Sequence, residues 1–321
     1  MSRETFKQNT IAMVYDFDGT LTPQSMQEYT ILPELGISDP KKEFWDIVRD
    51  ESKRGGEDMM LTYLRMLKEK IDEQKQKWTP EGFKKLGANI EYFPGVESWF
   101  DRIDAYVKEV SEGKVQIKHY IISAGMREIL EGCSLKGKFE RMYASEYHYN
   151  HYQQPDFPKV VINDTTKTQF IFRINKGREE MHESINDHTP KSQRPIPFEN
   201  ILYIGDGLTD VPCMTVTKKN GGHAFAVYKK ANRKGVDTCR RLYEAGRVDF
   251  FAEANYEEGK KLDKAVRSIL EVKIARILFE KQRFSLGRSL ERLQERDKKN
   301  EESTTAENAE SKDLQEDDSK D

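Results

Sequence analysis

The sequence predicts an α/β protein in which a doubly wound, Rossmann-like parallel sheet carries an inserted helical domain and ends in a disordered acidic C-terminal tail. Three observations predict it. Short apolar runs rich in β-branched and aromatic residues recur just before Gly or Asp turns, the pattern of strands buried on both faces. Helix-like stretches separate these runs, as the crossovers of a parallel sheet require. Residues 24–92 interrupt the alternation with helical patterns alone.

Taken in order, the strands are IAMVYDF at 11–17, IKHYIIS at 117–123, ILYIGD at 201–206, AFAVY at 224–228 and VDFFA at 248–252. Between the first two lies the insertion, read as MQEYTILPEL, an Asp39-capped segment through FWDIVRDESKR, then EDMMLTYLRMLKEKIDE, then Thr79-Pro80 opening EGFKKLG. Met60, Tyr63, Leu64 and Leu67 recur at helical spacing and form one apolar stripe. Helices are also expected at 96–109, after Pro94-Gly95, and at 126–132. Residues 148–159 mix aromatics with Pro155 and Pro158 before a short strand at 160–162, which suggests a hairpin at the edge of the core. Residues 182–197 are polar and hold three prolines, an exposed loop. Residues 259–293 return to a helical pattern with a basic bias.

The predicted organisation is therefore a core formed by residues 1–23 and 93–293, an inserted helical domain at 24–92, and a tail at 294–321. At 321 residues the chain is long enough for such a core and insertion, since domains run to roughly 100–200 residues. The net charge of -3 conceals an asymmetry: residues 297–321 hold ten acidic and four basic side chains, a balance of -6, which leaves +3 for the rest. With Leu314 as its one large aliphatic and no aromatic, that terminal stretch cannot bury enough apolar surface to offset the entropy of ordering.

Cys133, Cys213 and Cys239 form no CxxC pair, which argues against a disulfide framework or structural zinc and fits a reducing cytoplasm. The N-terminal apolar run is too short for a secretory signal and no later stretch is long enough to span a bilayer, so a soluble, cytoplasmic protein with no membrane partner is expected. The small net charge and acidic tail leave no broad electrostatic footprint for nucleic acid. Oligomeric state is not legible.

The chemistry concentrates where strands end. Asp16-Phe17-Asp18-Gly19-Thr20 puts two carboxylates two positions apart as the chain leaves the first strand. Two such acids in a low-dielectric crevice need a cation or a shared proton. Taken alone, Asp18-Gly19 is an ordinary turn signal. However, Gly205-Asp206-Gly207-Leu208-Thr209-Asp210 repeats the arrangement at the end of another strand, and two carboxylate pairs make a shared oxygen-ligand site. Hard oxygen donors without neighbouring nitrogen or thiolate ligands suit magnesium better than zinc. His119 falls inside a strand and reads as a core or edge residue.

In order, DFDGTLT, a strand ending at Ser123, a lysine, and GDGLTD resemble the four motifs of the haloacid dehalogenase superfamily, over about residues 11–255. The insertion between the first two motifs looks like the helical cap of phosphoserine-phosphatase-like members. The resemblance implies a magnesium-dependent phosphomonoester hydrolase. In it Asp16 is the nucleophile that forms an aspartyl phosphate and Asp18 is general acid, then base, with its backbone carbonyl on the metal. Ser123, with the backbone of Gly19, Ala124 and Gly125, would bind the phosphoryl group; the alternative for Ser123 is a helix N-cap. Asp206 would ligate the metal beside Asp16, and Asp210 would orient a metal water or the lysine. That lysine would be Lys167, ahead of an apolar helical run as the third-motif lysine commonly is, with Lys176 as the fallback. Phosphoserine phosphatases place a glutamate nine positions after the nucleophile; Ser25 stands there, with Glu28 one turn further as a substitute, and the segment holding Gln24, Ser25, Met26, Glu28 and Tyr29 would read the substrate.

The implied partner is a small phosphorylated metabolite. A dehalogenase needs no phosphoryl-binding metal and usually lacks the second aspartate, so Asp18 speaks against it. A phosphotransferase would share the aspartyl phosphate and differ in the final acceptor. A non-catalytic scaffold would instead work through the acidic tail and the basic stretch at Lys229, Lys230, Arg233, Lys234, Arg240 and Arg241.

Overall fold

The computed structural model describes residues 5–74 and 77–317, with side chains through residue 300. Residues Lys7–Ile274 make one compact unit, which contains the whole sheet; the remaining chain from Ala275 onward belongs to a second.

The first strand, β1 (Thr10–Tyr15), is buried at every position. The insertion follows with two single-turn helices, α1 (Met26–Tyr29) and α2 (Ile31–Glu34), and a π-turn at Lys41–Trp45 running into α3 (Asp46–Gly55). Asp39 Oδ1 accepts the Lys42 amide at 3.2 Å, the expected cap. Next comes α4 (Met59–Asp72), where Asp58 accepts the Met60 and Leu61 amides and Tyr63, Leu64 and Leu67 face inward as their spacing predicts. At α5 (Pro80–Leu86) Thr79 caps and proline occupies the first turn.

The core resumes with α6 (Val96–Val110) and β2 (Gln116–Met126), the strand four residues longer than the apolar run suggested. The helix expected at 126–132 shrinks at both ends to α7 (Arg127–Leu130): the strand takes Met126, and Glu131-Gly132 form a turn. Two more strands, β3 (Arg141–Tyr149) and β4 (Pro155–Val160), form an antiparallel hairpin. The hairpin was legible at its tip; its first arm, RMYASEYHY, reads as a mixed polar segment and was not identified as a strand. The short strand expected at 160–162 ends at Val160 instead.

Beyond it lie α8 (Lys167–Lys176), β5 (Ile201–Gly205), α9 (Val211–Lys219), β6 (His223–Tyr228), α10 (Arg233–Glu244), β7 (Phe250–Glu253) and α11 (Lys261–Asp317). The sheet order is β4-β3-β2-β1-β5-β6-β7, parallel throughout except for the β3/β4 edge. This is the doubly wound sheet predicted. Side chains alternate across β1: Ala12 and Val14 join a cluster with Ile171, Ile174 and Met214 of the helices on one face. Tyr15 turns to the other face, accepting the Trp99 indole N–H at 2.9 Å and meeting Phe100 edge-on.

Chain order reverses at β1: β2 and β3 add on one side, β5 to β7 on the other. Such a switch point opens a crevice at the carboxyl ends of the central strands, and both acid pairs follow those ends. From residue 289 to 300 every described side chain is exposed. A helix with no buried face draws no support from packing and exchanges readily with coil, consistent with the disordered tail read from composition. Among the described residues no helix is long and apolar enough to cross a membrane. All three cysteines are free and buried.

Candidate active site

Leaving β1, the backbone turns sharply. The Asp16 amide still donates to Ile204 O of β5 at 2.9 Å, whereas Phe17 O already accepts the Leu21 amide at 2.9 Å. Gly19 holds φ +77°, and a methyl group there would lie 2.3 Å from Asp206 Oδ2. The glycine thus lets the first acid loop touch the second.

After β5, the half-turn at Leu208–Asp210 swings Asp210 back under the loop. Fully buried, it accepts the Asp206 amide at 3.1 Å on Oδ2 and the Tyr203 hydroxyl at 2.7 Å on Oδ1. Carboxylate oxygens of Asp16, Asp206 and Asp210 all lie within 4.8 Å of one another.

Lys167 is the cation of the cluster. Asn163 Oδ1 accepts the Thr165 and Thr166 amides, a local turn that starts α8 with Lys167 as its first residue. From there its Nζ reaches Asp16 Oδ1 at 2.8 Å and Asp210 Oδ1 at 2.8 Å, with 2% of the residue exposed. Burial opposes the ammonium charge, but the two carboxylates outweigh it and hold the lysine protonated. Lys176 lies at the opposite end of the helix. Its Nζ donates to Ile185 O and to Asp187 O at 3.0 Å, while Arg173 Nη1 holds Arg178 O and Glu183 O at 3.2 Å each. Those two side chains organise the long loop between α8 and β5, so Lys176 is withdrawn as the fallback lysine.

Three carboxylates against one ammonium leave two formal negative charges, the charge of one divalent cation. The strain shows in the acids. Burial pushes Asp16 up to about 6 even with Lys167 beside it. Desolvation and the charges of Asp16 and Asp210 raise Asp206 well above the carboxylate range. An all-oxygen donor set with this surplus of charge fits a hard divalent ion such as magnesium.

Asp18 is set apart from that trio. Its Oδ1 accepts the Met26 amide at 2.7 Å, and burial, followed by the charge of Asp16, lifts it to about 8. The carboxylate thus turns toward the insertion and stays out of the metal-capable group, so any part it takes in metal binding is left to its backbone.

On the neighbouring strand, β2 pairs with β3 regularly through Ile122↔Tyr143 and resumes only at Met126↔Ser145 after a register shift. The freed residues bulge within the strand. Ser123 Oγ accepts the Gly125 amide at 3.0 Å, and Ala124 O accepts the Ser145 hydroxyl at 3.1 Å. Ser123 is therefore not a helix cap, its hydroxyl proton remains available to an anion, and the Gly125 amide is spent within the bulge. Glu28 Oε1 is tied to the Ser25 hydroxyl at 3.1 Å and the Trp45 indole at 3.2 Å. His119, as expected of a core residue, bonds the Tyr15 hydroxyl and Asp104.

A family model described as haloacid dehalogenase-like hydrolase matches residues 13–215, well over half of the chain. The chain belongs to that family. A protein of Borreliella burgdorferi strain B31 described as uncharacterized is 31% identical over 288 residues, covering 80% of this chain and 95% of that protein.

Among solved structures, the fold is similar to a probable phosphoserine phosphatase of Vibrio cholerae, unliganded, with a TM-score of 0.52, 12% identity, and coverage of 86% of this chain and 68% of that one. It is also similar to a substrate-bound phosphoserine phosphatase, with a TM-score of 0.50, 15% identity, and coverage of 81% of this chain and 99% of that one. A family hydrolase from Salmonella enterica serovar Typhi scores 0.50 at 16% identity, over 77% of this chain and 68% of the other. At such identities the likeness concerns the fold. The resemblance drawn from the motifs thus holds for this haloacid dehalogenase-like hydrolase in family and architecture.

Sequence reasoning missed Tyr203, which anchors Asp210 and whose signal was a lone hydroxyl-bearing residue in an otherwise aliphatic strand run. It placed Met26 among the residues that would read the substrate; the structure instead has Met26 touching Asp18 through its amide and the Met126 amide through its sulfur.

Proposed function

We propose that this haloacid dehalogenase-like hydrolase is a magnesium-dependent phosphomonoesterase that works through an aspartyl phosphate on Asp16. The observation that carries this reading is the single lysine bridging Asp16 and Asp210 at 2.8 Å each beside Asp206. Asp16 attacks phosphorus, so an Asp16 Oδ–P bond forms as the bond from phosphorus to the leaving oxygen breaks. Asp18, protonated near neutral pH, gives its proton to that oxygen and later takes one from the water that hydrolyses the acyl phosphate. Lys167 offsets negative charge on the nucleophile and the phosphoryl oxygens, one of which receives the Ser123 hydroxyl.

Asp16, Asp206 and the Asp18 carbonyl would hold magnesium, with Asp210 orienting the surrounding groups. The ion supplies positive charge against the transferring phosphoryl group. Residues 24–92 act as a cap on a core of residues 1–23 and 93–293, closing over a small phosphorylated metabolite to select it and exclude bulk water. Glu28, Ser25 and Trp45 stand on that cap as readers of the leaving group.

The test is phosphate release from a panel of phosphomonoesters with and without magnesium, comparing the native chain with Asp16→Asn. Magnesium-dependent release abolished by the substitution is the expected result; release that survives it would refute the nucleophile. Transfer of phosphate to an added alcohol in place of water would mark a phosphotransferase.

A further inference from the structure

The family match ends at residue 215, and α11 lies wholly beyond it. From residue 275 onward this helix belongs to the smaller of the two units and holds large apolar side chains in water. Phe279, Leu286, Leu290 and Leu293 are between 46% and 63% exposed. They are not scattered. Phe279, Leu286 and Leu293 follow one another at intervals of seven, so they lie along one line of the helix at a rise of about 10.5 Å per step. Leu290 widens that line beside Leu286. Phe284 looks the other way, its ring centroid 5.8 Å from that of Phe6.

A row of bulky apolar side chains left in water marks a surface that meets a partner. The residues four places after Phe279, Leu286 and Leu293 border the row; they are Arg283, Leu290 and Asp297. Glu280 on the same helix accepts from Arg283 at 2.9 Å, which holds that charge at the margin. In a parallel, in-register pair of such helices every position meets its own copy. Arg283 would then face Arg283 and Asp297 would face Asp297 along a seam closed to water, an arrangement that like charges oppose.

An antiparallel pair crossing at Leu286 removes those repulsions. Phe279 falls opposite Leu293, Leu286 opposite its own copy, Arg283 beside Leu290, and Arg276 beside Asp297, its opposite in charge. The seven-residue spacing is the same on either side of Leu286, so the reversed helix presents the same row, as a two-fold contact between identical chains requires. We propose that α11 pairs antiparallel with α11 of a second copy of this chain over residues 276–297, with Leu286 on the two-fold axis. The seam supplies packing that the exposed stretch of the helix lacks within one chain. The pairing is independent of the phosphatase reading.

Sedimentation of the full chain tests it. The native chain is expected to travel as a pair at micromolar concentration. Leu286→Glu keeps a good helix former at an exposed site and removes two leucines from the axis, so it should raise the dissociation constant by about 100-fold or more. Orientation is read by disulfide cross-linking of Phe279→Cys and Leu293→Cys, at concentrations where sedimentation shows each variant paired. The native chain, whose three cysteines are buried, is the blank. A cross-linked pair is expected from an equal mixture of the two variants and from neither alone. A native chain that stays monomeric, whether free or gathered on vesicles of anionic phospholipid, overturns the proposal. So does a pair that Leu286→Glu leaves intact, a mixture that yields no cross-link, or cross-linking of either cysteine variant with itself, which marks a parallel seam.

Discussion

The Lys167 ammonium reaches Asp16 Oδ1 at 2.8 Å across 151 positions of sequence. The same nitrogen lies 2.8 Å from Asp210 Oδ1, so one cation links the loops that follow two neighbouring strands. Because all three groups are almost wholly buried, the pairing is screened little by solvent and removal of any partner leaves a charge stranded.

Lys167→Met should therefore affect both stability and turnover. A broken buried pair costs about 3–5 kcal/mol, read by urea denaturation. Loss of a charge that stabilises the transition state should lower kcat by about 100- to 1,000-fold. Lys176→Met, which removes only loop-ordering bonds to carbonyl oxygens, should leave kcat unchanged and cost about 1 kcal/mol.

Magnesium should stabilise the native chain against heat, by about 2.7 kcal/mol at 100 times its dissociation constant. Asp206→Asn should abolish that gain. Without the metal the same variant should melt no lower than the native chain, because it removes a carboxylate whose charge burial, then Asp16 and Asp210, already disfavour. Calorimetry with and without the ion checks both.

Gly19→Ala combines a positive φ with a methyl 2.3 Å from Asp206 Oδ2. A loss of about 1–3 kcal/mol is expected, with a weaker magnesium-dependent rise in melting temperature because the two acid loops are pushed apart.

Tyr203→Phe deletes the hydroxyl that donates to Asp210 Oδ1 at 2.7 Å. A hydrogen bond to a charged group contributes about 1.5–3 kcal/mol, so denaturation should shift by that amount. Turnover should fall with KM little changed, since Tyr203 acts through Asp210 and Lys167 and does not touch the substrate.

Much of this site was legible because acids at strand ends are written locally. DFDG and GDGLTD each put carboxylates after an apolar run, and a buried strand can end in charge only where a crevice receives it. β3 was not legible, because RMYASEYHY pairs a parallel face with an antiparallel edge and carries no clean period. Lys167 was the better placed of two lysines on one helix, with Lys176 as the fallback. The Asn163 turn that starts α8 decided between them by placing one at the carboxylates and the other at a loop.

The sequence by itself determined five of the seven strands, the helical insertion, the family and the two acid pairs, since each depends on periodicity and order that neighbouring residues encode. Only the tertiary structure decided which lysine is the cation, that Asp18 faces the insertion, and that Tyr203 and Met26 hold the acids in place. Those are contacts between side chains far apart in sequence, and their direction is set by strand register and helix start, which no local pattern specifies.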